Sequence, residues 1–244
     1  MKALRQWLLL CLLAGLGLQL FFLLRVACMA WVAPESTSFE RTQIWQILRS
    51  QGRLPWRQEW QPLDGISKHL QRAVIVSEDD TFARHDGIRW DVIEKAWNKN
   101  AKAQARADRQ AQHRPDKPAP QAKVVGGSTI TQQLAKNLFL SGERNLLRKG
   151  QEMLLTQMLE VLLPKRRILE IYLNSVEWGE GVFGAEAAAQ HYFRKSAAQL
   201  NPWEAARLAV MLPRPRYFEK LPSSTYLAER AEVIVGRMNS AVLP

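Results

Sequence analysis

The chain has 244 residues, 47% of them hydrophobic, enough for one good-sized core plus a membrane anchor but not for two large domains. Its 34 Lys and Arg against 23 Asp and Glu give a formal charge of +11. That bias calls for an anionic partner: nucleic acid, acidic lipid headgroups or a phosphorylated substrate. Both cysteines, Cys11 and Cys28, lie near the amino terminus, so the rest of the chain can form no internal disulfide and no Cys-based metal site.

Residues 1–6 carry Lys2 and Arg5 and precede an uncharged, Leu-rich run from Trp7 to Leu24, interrupted by Gln19 and continued past Arg25 to Ala33. The run can cross roughly 30 Å of hydrocarbon at about 1.5 Å per residue. It also exceeds the 7–15 apolar residues of a cleaved signal core, so 7–33 reads as a retained signal-anchor. The leading cations place the amino terminus in the cytoplasm and the body of the protein outside, and Arg25 reaches for the outer interface.

Residues 34–64 mix Pro, Trp and charge without periodicity and read as a juxtamembrane segment leading into a domain over 65–244. Ile66, Leu70, Ala73 and Val74 predict a helix running up to Glu78-Asp79-Asp80. A second helix is expected near Asp91, with Asp91 as cap and Glu94 as capping-box partner. Residues 98–123, rich in Lys, Arg, Gln and Pro and lacking large apolar side chains, read as a mobile basic loop.

Helices dominate from Ser128, which is placed as the cap of Thr129 to Asn137. Leu147, Leu154, Met158 and Leu162 predict the buried stripe of a longer helix stopped by Pro164. Another helix is expected from Arg166 to Asn174, then turns at Gly179, Gly181 and Gly184, then a helix from Ala185 to Phe193. Asn201-Pro202-Trp203-Glu204 is a compact start signal for a helix that must end before Pro213. Leu227, Ile234, Val235 and Met238 mark a last amphipathic helix. No alternating pattern is long enough for a sheet-based fold, so the class is mainly α.

Four clusters carry chemistry. In Glu78-Asp79-x-x-Phe82-x-x-His85-x-Gly87, adjacent carboxylates beside an aromatic raise one another's pKa, the setting for a base near neutral pH; taken alone, the cluster reads first as a solvated acidic turn. Gly126 to Asn137 places glycines ahead of a helix start, where backbone N–H groups attract anions, and then offers Ser128, Thr129, Gln132, Gln133 and Lys136. Arg148-Lys149-x-x-Glu152 is, taken alone, a helix-surface ion pair. Lys165 to Asn174 reads as a packed helix whose Ile168, Leu169, Tyr172 and Leu173 serve the core.

In order, spacing and wording, the four clusters resemble the peptidoglycan glycosyltransferase family over roughly residues 65–220. The chain has no Ser-x-x-Lys, so the resemblance is to the monofunctional members, without a transpeptidase module. It implies a lysozyme-like, mostly helical glycosyltransferase domain at the bacterial inner membrane, facing the periplasm, that polymerises lipid II into β-1,4-linked glycan and releases undecaprenyl pyrophosphate with inversion. Glu78 would be the general base and Glu152 the second catalytic carboxylate. Lys136, Asn137, Arg148 and Lys149 would bind substrate or pyrophosphate with Ser128, Thr129, Gln132 and Gln133, while Asp79, Phe82, His85 and Gly87 support the base. Glu152 would either orient the cations or hold a divalent metal, Mg or Mn, as sole cofactor. The implied partners are lipid II, the growing glycan, the membrane and proteins of the cell-wall or division machinery, with no nucleic acid. One departure stands out: the family often has Asp two residues after the motif's glycine, where this chain has Arg89. A lytic glycosidase would share the acidic residue but has no use for Lys136, Arg148 and Lys149; a tethered binder of anionic polymer would leave Glu78 and Glu152 idle.

Overall fold

The computed structural model describes residues 1–113, 126–140 and 145–244 and is built almost wholly of helices. Helix α1 (Lys2–Cys28) is long and apolar enough to cross a membrane. Its face Gln19, Phe22, Val26 and Met29, at helical spacing, lies against the rest of the protein: Val26 and Met29 are buried, and Phe22 meets the Phe139 ring edge-on at 5.3 Å.

The segment expected to lack periodicity contains α2 (Ser38–Gln51). A reciprocal Thr37–Glu40 capping box starts this helix, and Gly52 ends it in the left-handed conformation at φ 65°. Glu40 is buried, bonded to Gln58, and burial pushes its carboxyl up.

The core centres on α3 (Lys68–Glu78), whose Leu70, Ala73, Val74 and Ile75 are wholly withdrawn from solvent. A fully buried aliphatic side chain of this kind contributes roughly 1.5–3 kcal/mol. Around it pack α9 (Pro202–Met211), opened by the expected Asn201–Glu204 capping box, and α11 (Thr225–Arg237), with a 3-10 turn at Met238–Ser240. Helices α5 (Ile130–Phe139), α6 (Leu146–Leu162) and α7 (Lys165–Ser175) form the other half of the core. Between α7 and α8 (Ala185–Phe193), β2 (Glu177–Gly179) and β3 (Val182–Phe183) form a hairpin, and β1 (Arg57–Gln58) joins β3 in parallel. Gly181 is required at the turn: its φ is 73°, and a Cβ there would sit 1.9 Å from the Pro55 carbonyl oxygen. The short helix α10 (Pro215–Glu219) packs on β2.

Four further expectations are corrected. Residues 98–113 are not a loop; they continue α4 (Trp90–His113). Alternating Ala, Gln, Lys and Arg are strong helix formers even without an apolar face, and Ala96 and Ala107 are buried; residues 114–123 lie outside the described ones. Asp91 does not precede this helix as its cap but sits in its first turn, bonded to Arg89. Thr129, not Ser128, caps α5, because Gln132 stands three residues on to close its capping box. Finally, the buried face of α6 is Glu152, Leu155, Thr156 and Leu159; of the expected stripe Met158 and Leu162 are half-buried against the core, whereas Leu147 and Leu154 point outward at 89% and 52% exposure. Two polar residues on the inward face shifted the apparent apolar stripe.

Candidate active site

Glu78 is the last residue of α3, so its side chain leaves the core at the point where the helix stops. Burial and neighbouring Asp79 both push the Glu78 carboxyl above the ordinary carboxylate range, against a hydrogen bond that Gln133 donates at 2.9 Å. Gln133 is itself fixed: the buried Tyr172 hydroxyl donates to its Oε1 at 3.0 Å. Burial holds the Tyr172 phenol far above its usual pKa, so it stays a donor.

Asp79 is not a second free acid. Its buried carboxylate accepts from the Ile130 backbone N–H at 3.1 Å and from His85 Nε2 at 2.8 and 2.9 Å. His85 Nδ1 accepts the Gly87 N–H at 3.1 Å, and the Gly87 carbonyl accepts the Thr129 hydroxyl at 2.6 Å. The circuit ties the end of α3 to the start of α5. Gly87 lies at φ 82°, and a Cβ would come within 2.7 Å of Glu160 and 2.8 Å of Thr156. Phe82 is fully buried beneath this turn, with the Lys165 ammonium 4.6 Å from its ring centre.

Beside Glu78 opens a cleft of about 380 Å³ walled by Asp80, Arg89, Gly127, Ser128 and Arg237. Arg89 bridges Asp80 at 3.1 Å and Asp91 at 3.3 Å, so Asp91 supplies an acidic group next to the position where the resemblance leads one to expect Asp. Arg89's hydrogen bond holds the Asp91 carboxyl below its ordinary value. Arg237, from the far end of the chain, comes within 3.9 Å of Asp80.

On α6, Glu152 is buried between Arg148 at 3.3 Å and Lys149, an ion-paired cluster within one helical turn. Among the described residues the Arg148 Nε is buried without a hydrogen-bond partner, a donor left over in this pair of cations.

The structure thus unites Glu78, Gln133 and Ser128 at the cleft and Arg148, Lys149 and Glu152 on α6. Thr129 and Gln132 are committed to the α5 cap: the Thr129 hydroxyl serves Gln132 N and Gly87 O, and Gln132 Oε1 accepts the Thr129 N–H. Lys136 is exposed one turn beyond Gln133, and Asn137 is half-buried. Sequence reasoning passed over Tyr172 as a polar tie, Arg237, and Glu160, which accepts from Thr131 at 2.5 Å and pairs with Lys165 at 2.8 Å. Thr131, inside the polar run, was the available clue to Glu160.

The Glu152 carboxylate is already occupied by two cations, and among the described residues no group of three or more His, Cys, Asp or Glu could hold a metal ion. With Arg148 and Lys149 paired to Glu152, positive charge at this point of α6 is already supplied by the protein's own side chains.

A helical domain with a desolvated carboxylate beside a cleft and a cationic cluster on a neighbouring helix has the acid–base group and the positive charge that an enzyme acting on glycosidic bonds uses. The transglycosylase family model matches residues 46–239. The chain is 51% identical over 231 residues to the biosynthetic peptidoglycan transglycosylase of Burkholderia thailandensis, covering 95% of this chain and 84% of that one. The same-named proteins of Burkholderia orbicola and Burkholderia ambifaria are 51% and 50% identical over 95% of this chain and 87% of theirs. The chain belongs to the transglycosylase family and is a glycosyltransferase with its lysozyme-like helical fold.

Proposed function

We propose that this chain polymerises lipid II into β-1,4-linked peptidoglycan strands, releasing undecaprenyl pyrophosphate. The observation that carries the reading is the Tyr172–Gln133–Glu78 chain: a carboxylate with a raised pKa, held in one orientation at the mouth of a cleft.

Glu78 accepts the proton of the acceptor sugar's 4-hydroxyl as that oxygen attacks the donor's anomeric carbon; the lipid pyrophosphate leaves from the opposite face, so an α-linked donor gives a β-linked product. Charge develops on the leaving group, and Arg148, Lys149 and Lys136 stabilise it, with the unmatched Arg148 Nε as one available donor. Glu152 holds the two α6 cations in place, and Ser128 with the Gly126-Gly127 backbone positions sugar or phosphate oxygens.

Helix α1 is the anchor, with Lys2 and Arg5 on the cytoplasmic side and the domain on the outer face of the inner membrane, where lipid II is presented. Further partners belong to the cell-wall or division machinery. The test is incubation of the detergent-solubilised protein with labelled lipid II. Lysozyme-sensitive polymer with one undecaprenyl pyrophosphate released per bond formed is expected; cleavage of preformed glycan with lipid II left intact would replace the transferase by a glycosidase.

A further inference from the structure

Gln19 is the one interruption of the apolar run Trp7–Leu24, and it does not face lipid. Its carboxamide and that of Gln151 on α6 bond reciprocally: Gln19 Nε2 donates to Gln151 Oε1 at 2.8 Å, and Gln151 Nε2 donates to Gln19 Oε1 at 3.1 Å. Gln19 lies six residues before Arg25, which reaches for the outer interface; at about 1.5 Å rise per residue it is about 9 Å below that interface, in the outer half of a hydrocarbon layer roughly 30 Å thick. Gln151 must then lie at the same depth.

The surface of α6 agrees. Leu147 and Leu154 stand one turn either side of Gln151 on the same helix face and are exposed, as are Leu146 and Val161. An apolar face continuous with a membrane span has lipid as its natural cover. Further along α1, the Arg25 guanidinium lies 5.8 Å from the Phe139 ring centre, and Arg167 Nε donates to the Met29 carbonyl at 2.8 Å. The outer end of the span is therefore part of the enzyme's body.

We infer that the Gln19–Gln151 pair is a positioning clamp that locks α6 to the membrane span, sinks the Leu147–Leu154 face into the outer leaflet, and so holds the Arg148–Lys149–Glu152 turn just beneath the headgroups, from where its long cationic side chains extend toward a lipid-linked pyrophosphate. The last step rests on the lipid II reading above. Because Arg148, Lys149 and Glu152 contact one another within a single turn, releasing the clamp leaves their local arrangement intact and alters where they meet the membrane.

Two measurements on the full chain in phosphatidylethanolamine–phosphatidylglycerol vesicles test this. In the first, Gln19→Leu and Gln151→Leu each raise KM for lipid II about tenfold with kcat held within about twofold, and the double variant is no worse than either single one. A merely structural role would instead lower kcat and thermal stability together. The second uses Leu147→Cys, in a Cys11→Ser, Cys28→Ser background, labelled with an environment-sensitive fluorophore. Brominated-chain lipids quench it, and adding Gln19→Leu weakens the quenching. Unchanged KM in both single variants, multiplying losses in the double, or an unquenched label would overturn the clamp. If quenching responds to Gln19→Leu while the parent chain makes no polymer, the clamp stands and the lipid II reading falls.

Discussion

The Tyr172 hydroxyl fixes which way Gln133 faces: by donating to Oε1 at 3.0 Å it leaves the amide N–H for Glu78. Tyr172→Phe frees that amide to turn over. The bond Gln133 donates holds the Glu78 pKa down, so losing it lets the pKa rise further. The acid limb of the kcat/KM profile is expected to move to higher pH, with a stability loss of about 0.5–1.5 kcal/mol. An acid limb unchanged from wild type would show that the tie does not govern the base.

Glu78 sets catalysis against stability. Its folded pKa is raised above the unfolded value of about 4.3, so the stability it contributes is full below that value and lost as pH rises through the folded pKa. Glu78→Gln removes the ionisable group. It is expected to raise the melting temperature at neutral pH, with the difference from wild type closing toward pH of about 4, while activity falls on the order of 10²–10⁴-fold. Thermal unfolding across pH, paired with turnover, checks both halves.

Glu152 has the opposite character, a buried carboxylate compensated by two cations. Glu152→Gln leaves Arg148, itself 17% exposed, facing Lys149 without the intervening charge. A loss of about 1–3 kcal/mol is expected, lessened because Lys149 is partly solvated, together with a fall in kcat. Restoration of kcat by added Lys149→Met would mean that Glu152 serves only to neutralise Lys149.

Gly87→Ala places a side chain at φ 82° and against Glu160 and Thr156. The expected cost is about 1–3 kcal/mol, read as a lowered melting temperature. Activity should fall as well, because the Gly87 carbonyl anchors Thr129 at the start of α5.

Where local chemistry decided the structure, the sequence was readable. Asn201 and Glu204 announce α9 at its first residue, and Glu78 falls at a helix end as its neighbours imply. The errors have physical causes. α4 was hidden by its charge, because lack of an apolar face was weighed above the helix propensity of Ala, Gln, Lys and Arg. The Thr37–Glu40 box preceding α2 was present and unread. In α6 the inward face begins with Glu152 and includes Thr156, so periodicity picked out a stripe of which Met158 and Leu162 pack against the core while Leu147 and Leu154 do not. At the site, motif residues such as Asp79, His85 and Gly87 were visible, but their division into reacting group and scaffold was not. That division depends on pairings across the fold, such as Tyr172 with Gln133 and Asp79 with Ile130.

The most direct test of the central claim is polymerisation of labelled lipid II by wild type and Glu78→Gln side by side, with products resolved by size and both proteins shown to be folded by thermal unfolding. A lysozyme-sensitive ladder from wild type, absent from the better-folded Glu78→Gln protein, is the predicted result. A ladder of equal length and rate from Glu78→Gln would contradict Glu78 as the base.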